Sequence, residues 1–131
     1  MIYDDLAALA LDEFADIVRR VEMIGRRAAT PLKLRLYLRD ETFLDVWLNP
    51  TATDYAYHWE QRAKRGLIYR FDNAPDFPHL PTFPQHFHNG TEDNVEVSQL
   101  PADPNEALRV VLRFVRQKLA EYEHDTPSAH A

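Results

Sequence analysis

Hydrophobic and polar residues alternate with a period of two through the middle of the chain, a pattern typical of half-buried β-strands. Between residues 32 and 39, four leucines alternate with Lys33, Arg35, Tyr37 and Arg39. Three further segments show a similar alternation: 42–48, 54–61 and 67–72. The connections between these segments are too short for crossover helices, so the pattern predicts an antiparallel meander.

The two ends of the chain carry helix signals. Residues 3–13 are rich in alanine and leucine, and their acidic residues come early, where the helix dipole favours them. The segment 103–106 (DPNE) is typical of a helix start, and an apolar stripe after it predicts a helix to about Glu121. Residues 14–25 fit both a helical stripe and strand alternation. We favour a strand over 16–25 and keep one long helix as the alternative.

Together these elements predict an α+β domain, with an antiparallel meander sheet of four to six strands and the N-terminal and C-terminal helices packed on one face. A chain of 131 residues is one domain by length, which we assign to residues 1–123, with a disordered tail at 124–131. A short edge strand is expected at 94–98. This edge and the exposed aromatic side chains leave a homodimer open as well as a monomer.

Composition narrows the class of protein and its compartment. The chain has no cysteine, which excludes disulfides, thiolate metal sites and thiol nucleophiles. No apolar run approaches the roughly 18 residues of a membrane span, and Asp4 and Asp5 occupy the place where a secretory signal would be basic. The sequence therefore predicts a cytoplasmic protein with no membrane partner.

The distribution of charge leaves two kinds of surface open. The net charge of −6 argues against sequence-independent binding of polyanions, which requires clustered basic residues. Within 17–39, however, seven basic residues accompany a single acidic residue, Glu22. The seven are Arg19, Arg20, Arg26, Arg27, Lys33, Arg35 and Arg39. This stretch forms either the solvated faces of strands or a basic surface for RNA or an acidic protein.

The segment 69–90, YRFDNAPDFPHLPTFPQHFHNG, concentrates the residues that could carry chemistry. Four of the nine prolines lie within 73–91, so we predict a long loop there rather than a central strand. A loop of this length in a compact domain is more often functional than idle. His86 and His88 form an H-x-H pair, whose rings point to one side if the backbone is extended.

One interpretation of this pair is general acid–base catalysis. One histidine would accept a proton and the other would donate one, while Arg70 stabilises anionic charge, as in a metal-independent ribonuclease without a cofactor. Asp72, on the same strand face as Arg70, would orient an imidazole. His58, on the preceding strand, would reach Arg70 or Asp72 across the ladder. The candidate catalytic residues are therefore Arg70, Asp72, His86, His88 and His58.

Two other interpretations stay open. In one, the two histidines and a third ligand bind a divalent ion. The third ligand would be His79, Asp72 or Glu92. The spacing from His86 to Glu92 is similar to the first half of a cupin metal motif, but the second half of that motif is missing. In the other interpretation, the loop is structural or forms a non-catalytic surface that binds a partner protein.

The stretch 68–98, IYRFDNAPDFPHLPTFPQHFHNGTEDNVEVS, closely resembles a family of small prokaryotic proteins related to the TumE group of toxin–antitoxin components. The shared pattern falls on Arg70, 72–75 (DNAP), 82–84 (TFP), His86, His88 and Gly90. The likeness covers most of residues 32–120. It implies a toxin-type component of a prokaryotic toxin–antitoxin pair, with a cognate antitoxin protein as partner and RNA as a candidate substrate.

Overall fold

The computed structural model describes residues 2–25 and 32–125. Its helices are α1 (Ile2–Glu13), α2 (Arg62–Arg65) and α3 (Pro104–Asp125). Its strands are β1 (Val18–Ile24), β2 (Lys33–Leu38), β3 (Phe43–Leu48), β4 (Tyr55–Gln61), β5 (Leu67–Asp72), β6 (His86–Gly90) and β7 (Val95–Val97). The strands form one antiparallel sheet in chain order from β1 to β7.

The α+β class and the antiparallel meander are confirmed, but the sheet has seven strands instead of four to six. The strand missing from the prediction is β6, which lies inside the segment 73–91 that was assigned to a loop. The last of the four prolines is Pro84, so β6 contains none and keeps every backbone N–H for the ladder. The alternative of one long N-terminal helix is wrong, because α1 ends at Glu13 and β1 pairs with β2.

The C-terminal helix begins as predicted and ends later. The Asp103 carboxylate accepts a hydrogen bond from the backbone N–H of Glu106 at 3.0 Å, which caps the first turn. The helix passes Glu121 and reaches Asp125. In this last turn Tyr122 lies against the Trp59 ring, with the centroids 6.1 Å apart. The rest of the predicted tail lies outside the described residues, as do Arg26 and Arg27.

The core lies between one face of the sheet and the two long helices. Residues of neighbouring strands are in register there, so that Leu44 lies beside Trp59 and Trp59 beside Tyr69. Phe114 of α3 packs edge-on against Tyr69, with the centroids 5.1 Å apart. The aromatic side chains of β4 and β5 face the core, since all of them are buried in it or packed against it. They are Tyr55, Tyr57, Trp59, Tyr69 and Phe71.

The opposite face of the sheet carries polar side chains, because successive residues of a strand point to opposite sides. The register places five of them next to one another across β2 to β6. They are Arg35, Asp45, His58, Arg70 and His88, which we name the polar row. Over 2–25 and 32–125, no helix is both long and apolar enough to span a bilayer.

Candidate functional site

The pairing of β5 with β6 places Asp72 directly opposite His86, and Arg70 opposite His88. The Nε2 atom of His86 lies 2.9 Å from Asp72 Oδ1, and that of His88 lies 3.6 Å from Asp72 Oδ2. Both rings point to the same side of the strand, as an extended H-x-H pair requires. We name these three side chains the Asp72 cluster.

Backbone carbonyl groups fix the orientation of both imidazole rings. His86 Nδ1 lies 3.0 Å from the Pro84 carbonyl oxygen, and His88 Nδ1 lies 2.9 Å from the Glu92 carbonyl oxygen. A carbonyl oxygen only accepts hydrogen bonds, so Nδ1 carries the proton in both rings. The second nitrogen of each ring, Nε2, therefore faces the Asp72 carboxylate.

The cluster is shielded from water by the segment between β5 and β6. His86 is 1% exposed and His88 is 5% exposed. The Phe77 ring lies edge-on to both imidazoles, at centroid distances of 4.7 Å from His86 and 5.9 Å from His88. Asn73 anchors this segment, because its side chain donates to the Thr53 carbonyl and accepts from the backbone N–H of Tyr55.

Arg70 contacts two carboxylates, that of Asp72 in the cluster and that of Glu92 beside it. Its Nε donates to Asp72 Oδ2 at 3.0 Å, and its Nη1 lies 2.7 Å from Glu92 Oε1. Partial burial alone would lower the pKa of Arg70, but its contacts with Glu92 and Asp72 outweigh burial and raise the pKa. Arg70 is therefore held as a cation beside the Asp72 carboxylate.

His58 contacts Arg70 from the neighbouring strand. Arg70 Nη1 lies 3.3 Å from His58 Nδ1, and guanidinium nitrogens only donate, so Nδ1 accepts and Nε2 carries the proton. That Nε2 lies 3.0 Å from Glu60 Oε1. Hydrogen bonds from Arg62, and less strongly from His58, lower the pKa of Glu60 to about 2. The structure thus brings Arg70, Asp72 and all three proposed catalytic histidines into one connected network.

The structure decides among the proposed third ligands and adds contacts that the sequence does not indicate. Of the proposed third ligands, Asp72 lies in the cluster, whereas the Glu92 carboxylate pairs with Arg70 and His79 is exposed beside Phe77. The two carbonyl acceptors and the cover provided by Phe77 have no sequence signal, because they depend on the path of the loop.

A groove opens next to the cluster. Its volume is about 530 Å³, and its wall includes Arg70, Asp72, Trp47, Tyr55 and Pro75. The two histidines do not line it. Arg70 and Asp72 therefore connect the buried imidazoles to a space that a ligand can enter.

Three of the five basic residues that the structure describes in the stretch 17–39 form ion pairs. Lys33 Nζ and Arg35 Nε lie 2.8 Å and 2.7 Å from the Asp45 carboxylate. Arg39 pairs with Glu123 at 2.8 Å. These ion pairs favour the interpretation of this stretch as solvated strand faces over that of a surface for RNA.

Comparison with known proteins identifies a family. The sequence model of a family described as Toxin TumE matches residues 6–119. The matched range includes β1 to β7, most of α3 and every residue of the network around Asp72. No curated protein and no solved structure matches the chain.

Proposed function

Because the chain belongs to the TumE toxin family, we propose that it is the toxin of a prokaryotic toxin–antitoxin pair and that it cleaves RNA by general acid–base chemistry. The family match supports a toxin-type protein that is neutralised by a cognate antitoxin. The observation that carries the chemical proposal is one buried carboxylate, Asp72, shared by two imidazole Nε2 atoms and the Arg70 guanidinium.

His86 is suited to donate a proton. Its Nδ1–H is committed to the Pro84 carbonyl, and its Nε2 lies 2.9 Å from Asp72 Oδ1, where the carboxylate would hold a second proton on the ring. In RNA cleavage this proton would pass to the 5′-oxygen that leaves phosphorus. Asp72 would orient the imidazole and stabilise its protonated form.

His88 is suited to accept a proton. Its Nε2 lies 3.6 Å from Asp72, beyond a hydrogen bond, and its Nδ1–H is committed to the Glu92 carbonyl. Nε2 would therefore present a lone pair, which would remove the proton of a ribose 2′-hydroxyl as its oxygen attacks phosphorus. The products would be a 2′,3′-cyclic phosphate and a 5′-hydroxyl end.

Arg70 would bind the phosphate whose charge increases during this attack. It lines the groove, and His58 and Asp72 hold its guanidinium in place. Phe77 covers the histidine rings, so an RNA backbone in the groove would reach Nε2 of either ring only after the loop shifts.

The test is induced expression in a bacterium, followed by assay of the purified protein on RNA. We expect the wild type to arrest growth and to cleave RNA in the presence of EDTA, leaving cyclic phosphate ends. His86→Ala and His88→Ala should each lower the cleavage rate at least about 100-fold, the usual size of an acid–base contribution. Arg70→Ala should do the same.

His79→Ala is the matched control, because His79 lies in the same loop but is exposed and outside the cluster. It should arrest growth like the wild type. Circular dichroism of each variant separates lost chemistry from lost folding. The proposal fails if the wild type does not arrest growth, or if folded His86 and His88 variants cleave RNA at the wild-type rate.

A further inference from the structure

The Asp72 cluster has the composition and spacing of a metal site as well as those of an acid–base site. Asp72, His86 and His88 each offer one ligand atom, and these atoms lie within 4.8 Å of one another. An ion bound tetrahedrally at about 2.0–2.2 Å separates its ligand atoms by about 3.4 Å. His86 Nε2 lies 2.9 Å from Asp72 Oδ1 and His88 Nε2 lies 3.6 Å from Asp72 Oδ2, distances on either side of that value. The three ligand types are therefore close enough for their side chains to adjust around one ion.

The orientation of the rings favours a cation between them and the carboxylate. Both Nδ1–H groups donate to backbone carbonyls, so both Nε2 atoms face Asp72. Lone pairs aimed at a carboxylate repel it unless a proton or a metal ion lies between. A ring N–H donated to a backbone carbonyl is also the usual second contact of a histidine that binds a metal, because it fixes the tautomer and the ring plane.

The surroundings would retain such an ion. All three residues are buried, and Phe77 covers the rings. Arg70 lies beside Asp72 and would repel a metal ion, but the Glu92 carboxylate 2.7 Å away offsets its charge. The groove next to Asp72 gives solvent a route to the site.

The ligand types select the class of ion. Two imidazole nitrogens and one carboxylate oxygen suit Zn²⁺ and similar transition metals, whereas Mg²⁺ and Ca²⁺ take oxygen ligands. We propose that Asp72, His86 and His88 bind one divalent transition-metal ion, and that this ion inhibits the toxin by occupying the two Nε2 atoms. The inhibition rests on the proposed acid–base function, because the same nitrogens cannot hold a metal and transfer protons. The binding itself does not rest on it.

Binding is tested on purified, EDTA-treated protein by titration calorimetry with Zn²⁺ and by the visible absorption of Co²⁺. We expect one ion per chain. Asp72→Asn and His88→Gln, which roughly keep the side-chain volumes, should weaken binding at least about tenfold. His79→Ala should bind like the wild type. Absence of a Zn²⁺ site, or folded cluster variants that bind as tightly as the wild type, would overturn the metal site.

RNA cleavage measured with and without Zn²⁺ separates the two proposals. Inhibition by Zn²⁺ that EDTA reverses supports both the metal site and its inhibitory effect. Zn²⁺ binding without a change in cleavage rate overturns the inhibition. Zn²⁺ binding that activates cleavage also overturns it, and with it the metal-independent mechanism. Cleavage in EDTA by a protein that binds no Zn²⁺ leaves the proposed function standing and removes the metal site.

Discussion

Glu92 controls how much positive charge Arg70 can offer to a ligand. Its carboxylate lies 2.7 Å from Arg70 Nη1 and is half exposed, so it competes with any phosphate that approaches from the groove. A pair of unit charges about 4 Å apart in water contributes about 1 kcal/mol. We therefore expect Glu92→Gln to tighten RNA binding about fivefold, measured by fluorescence anisotropy with a labelled single-stranded RNA.

Asp93→Asn is the matched control for this prediction. Asp93 is the next residue along the chain and is exposed, and its substitution makes the same change in net charge. It should alter RNA affinity much less than Glu92→Gln. Equal effects of the two substitutions would mean that overall charge, and not the release of Arg70, governs binding.

At the residue scale, the sequence is informative about which side chains meet and uninformative about their partners in the backbone. Strand alternation places Arg70 and Asp72 on one face, and the H-x-H spacing does the same for His86 and His88. Their convergence was therefore predictable once two strands pair. The carbonyl acceptors of both Nδ1 atoms were not, because they depend on loop dihedral angles that no side-chain pattern encodes.

The loop 73–85 is the element that separates the histidines from water. Phe77 supplies the contact, lying edge-on to both rings. Phe77→Ala should open the cluster, so we expect His86 and His88 to react with diethyl pyrocarbonate several times faster than in the wild type. Mass spectrometry of the modified peptides measures the rate at each histidine.

Phe83→Ala provides the comparison within the same loop. Phe83 is 43% exposed, so its removal takes away a ring of the same size from the loop surface. It should leave the modification rates of His86 and His88 unchanged. If both variants raise these rates equally, the whole loop has loosened and Phe77 has no specific covering role.

At the element scale, the predictability of each strand follows its amino-acid pattern. The strands β2 to β5 have alternating apolar residues, and all four were predicted. Strand β6, HFHNG, has one apolar residue, Phe87, which faces the core, whereas its other two buried residues, His86 and His88, lie on the opposite face. Nothing in that composition distinguishes it from the proline-rich loop before it. The loop 73–85 covers its histidine face, which the sequence does not reveal, so residues on both faces of the strand are buried.

At the scale of the whole molecule, the two faces of the sheet have separate tasks. The helices cover one face and form the core, so the opposite face is free to carry the polar row from Arg35 to His88. The ion pair between Arg35 and Asp45 at one end of the row is structural, whereas the cluster at the other end is the proposed site. Stability and activity should therefore respond to different residues of the same row.

Two carboxylates, Asp45 and Asp40, make the folded state sensitive to acid. Burial alone would raise the pKa of Asp45, but hydrogen bonds from Arg35 and Lys33 outweigh it, and the pKa is lowered. At Asp40, hydrogen bonds with Thr42 and Arg65 likewise outweigh burial, and the pKa is lowered. A carboxyl whose pKa is lower in the folded state stabilises the protein above its unfolded pKa of about 3.9, and that stability is lost as the pH falls through the folded value.

Urea unfolding followed by tryptophan fluorescence tests this at about pH 7 and about pH 3.5, on either side of the unfolded pKa of aspartate. We expect the free energy of unfolding of the wild type to fall with the pH. Asp45→Asn should lower it by about 2 kcal/mol at neutral pH, because charged hydrogen bonds are lost, and should reduce its dependence on pH. Asp12→Asn, at an exposed position of α1, should keep the wild-type dependence. RNA cleavage per folded molecule should not change in Asp45→Asn, because the ion pairs of Asp45 are with Lys33 and Arg35, and its cross-strand neighbour His58 is held by Glu60 and Arg70 instead. A loss of cleavage in folded Asp45→Asn would show that the polar row acts as one unit, against the division of tasks inferred from its ion pairs.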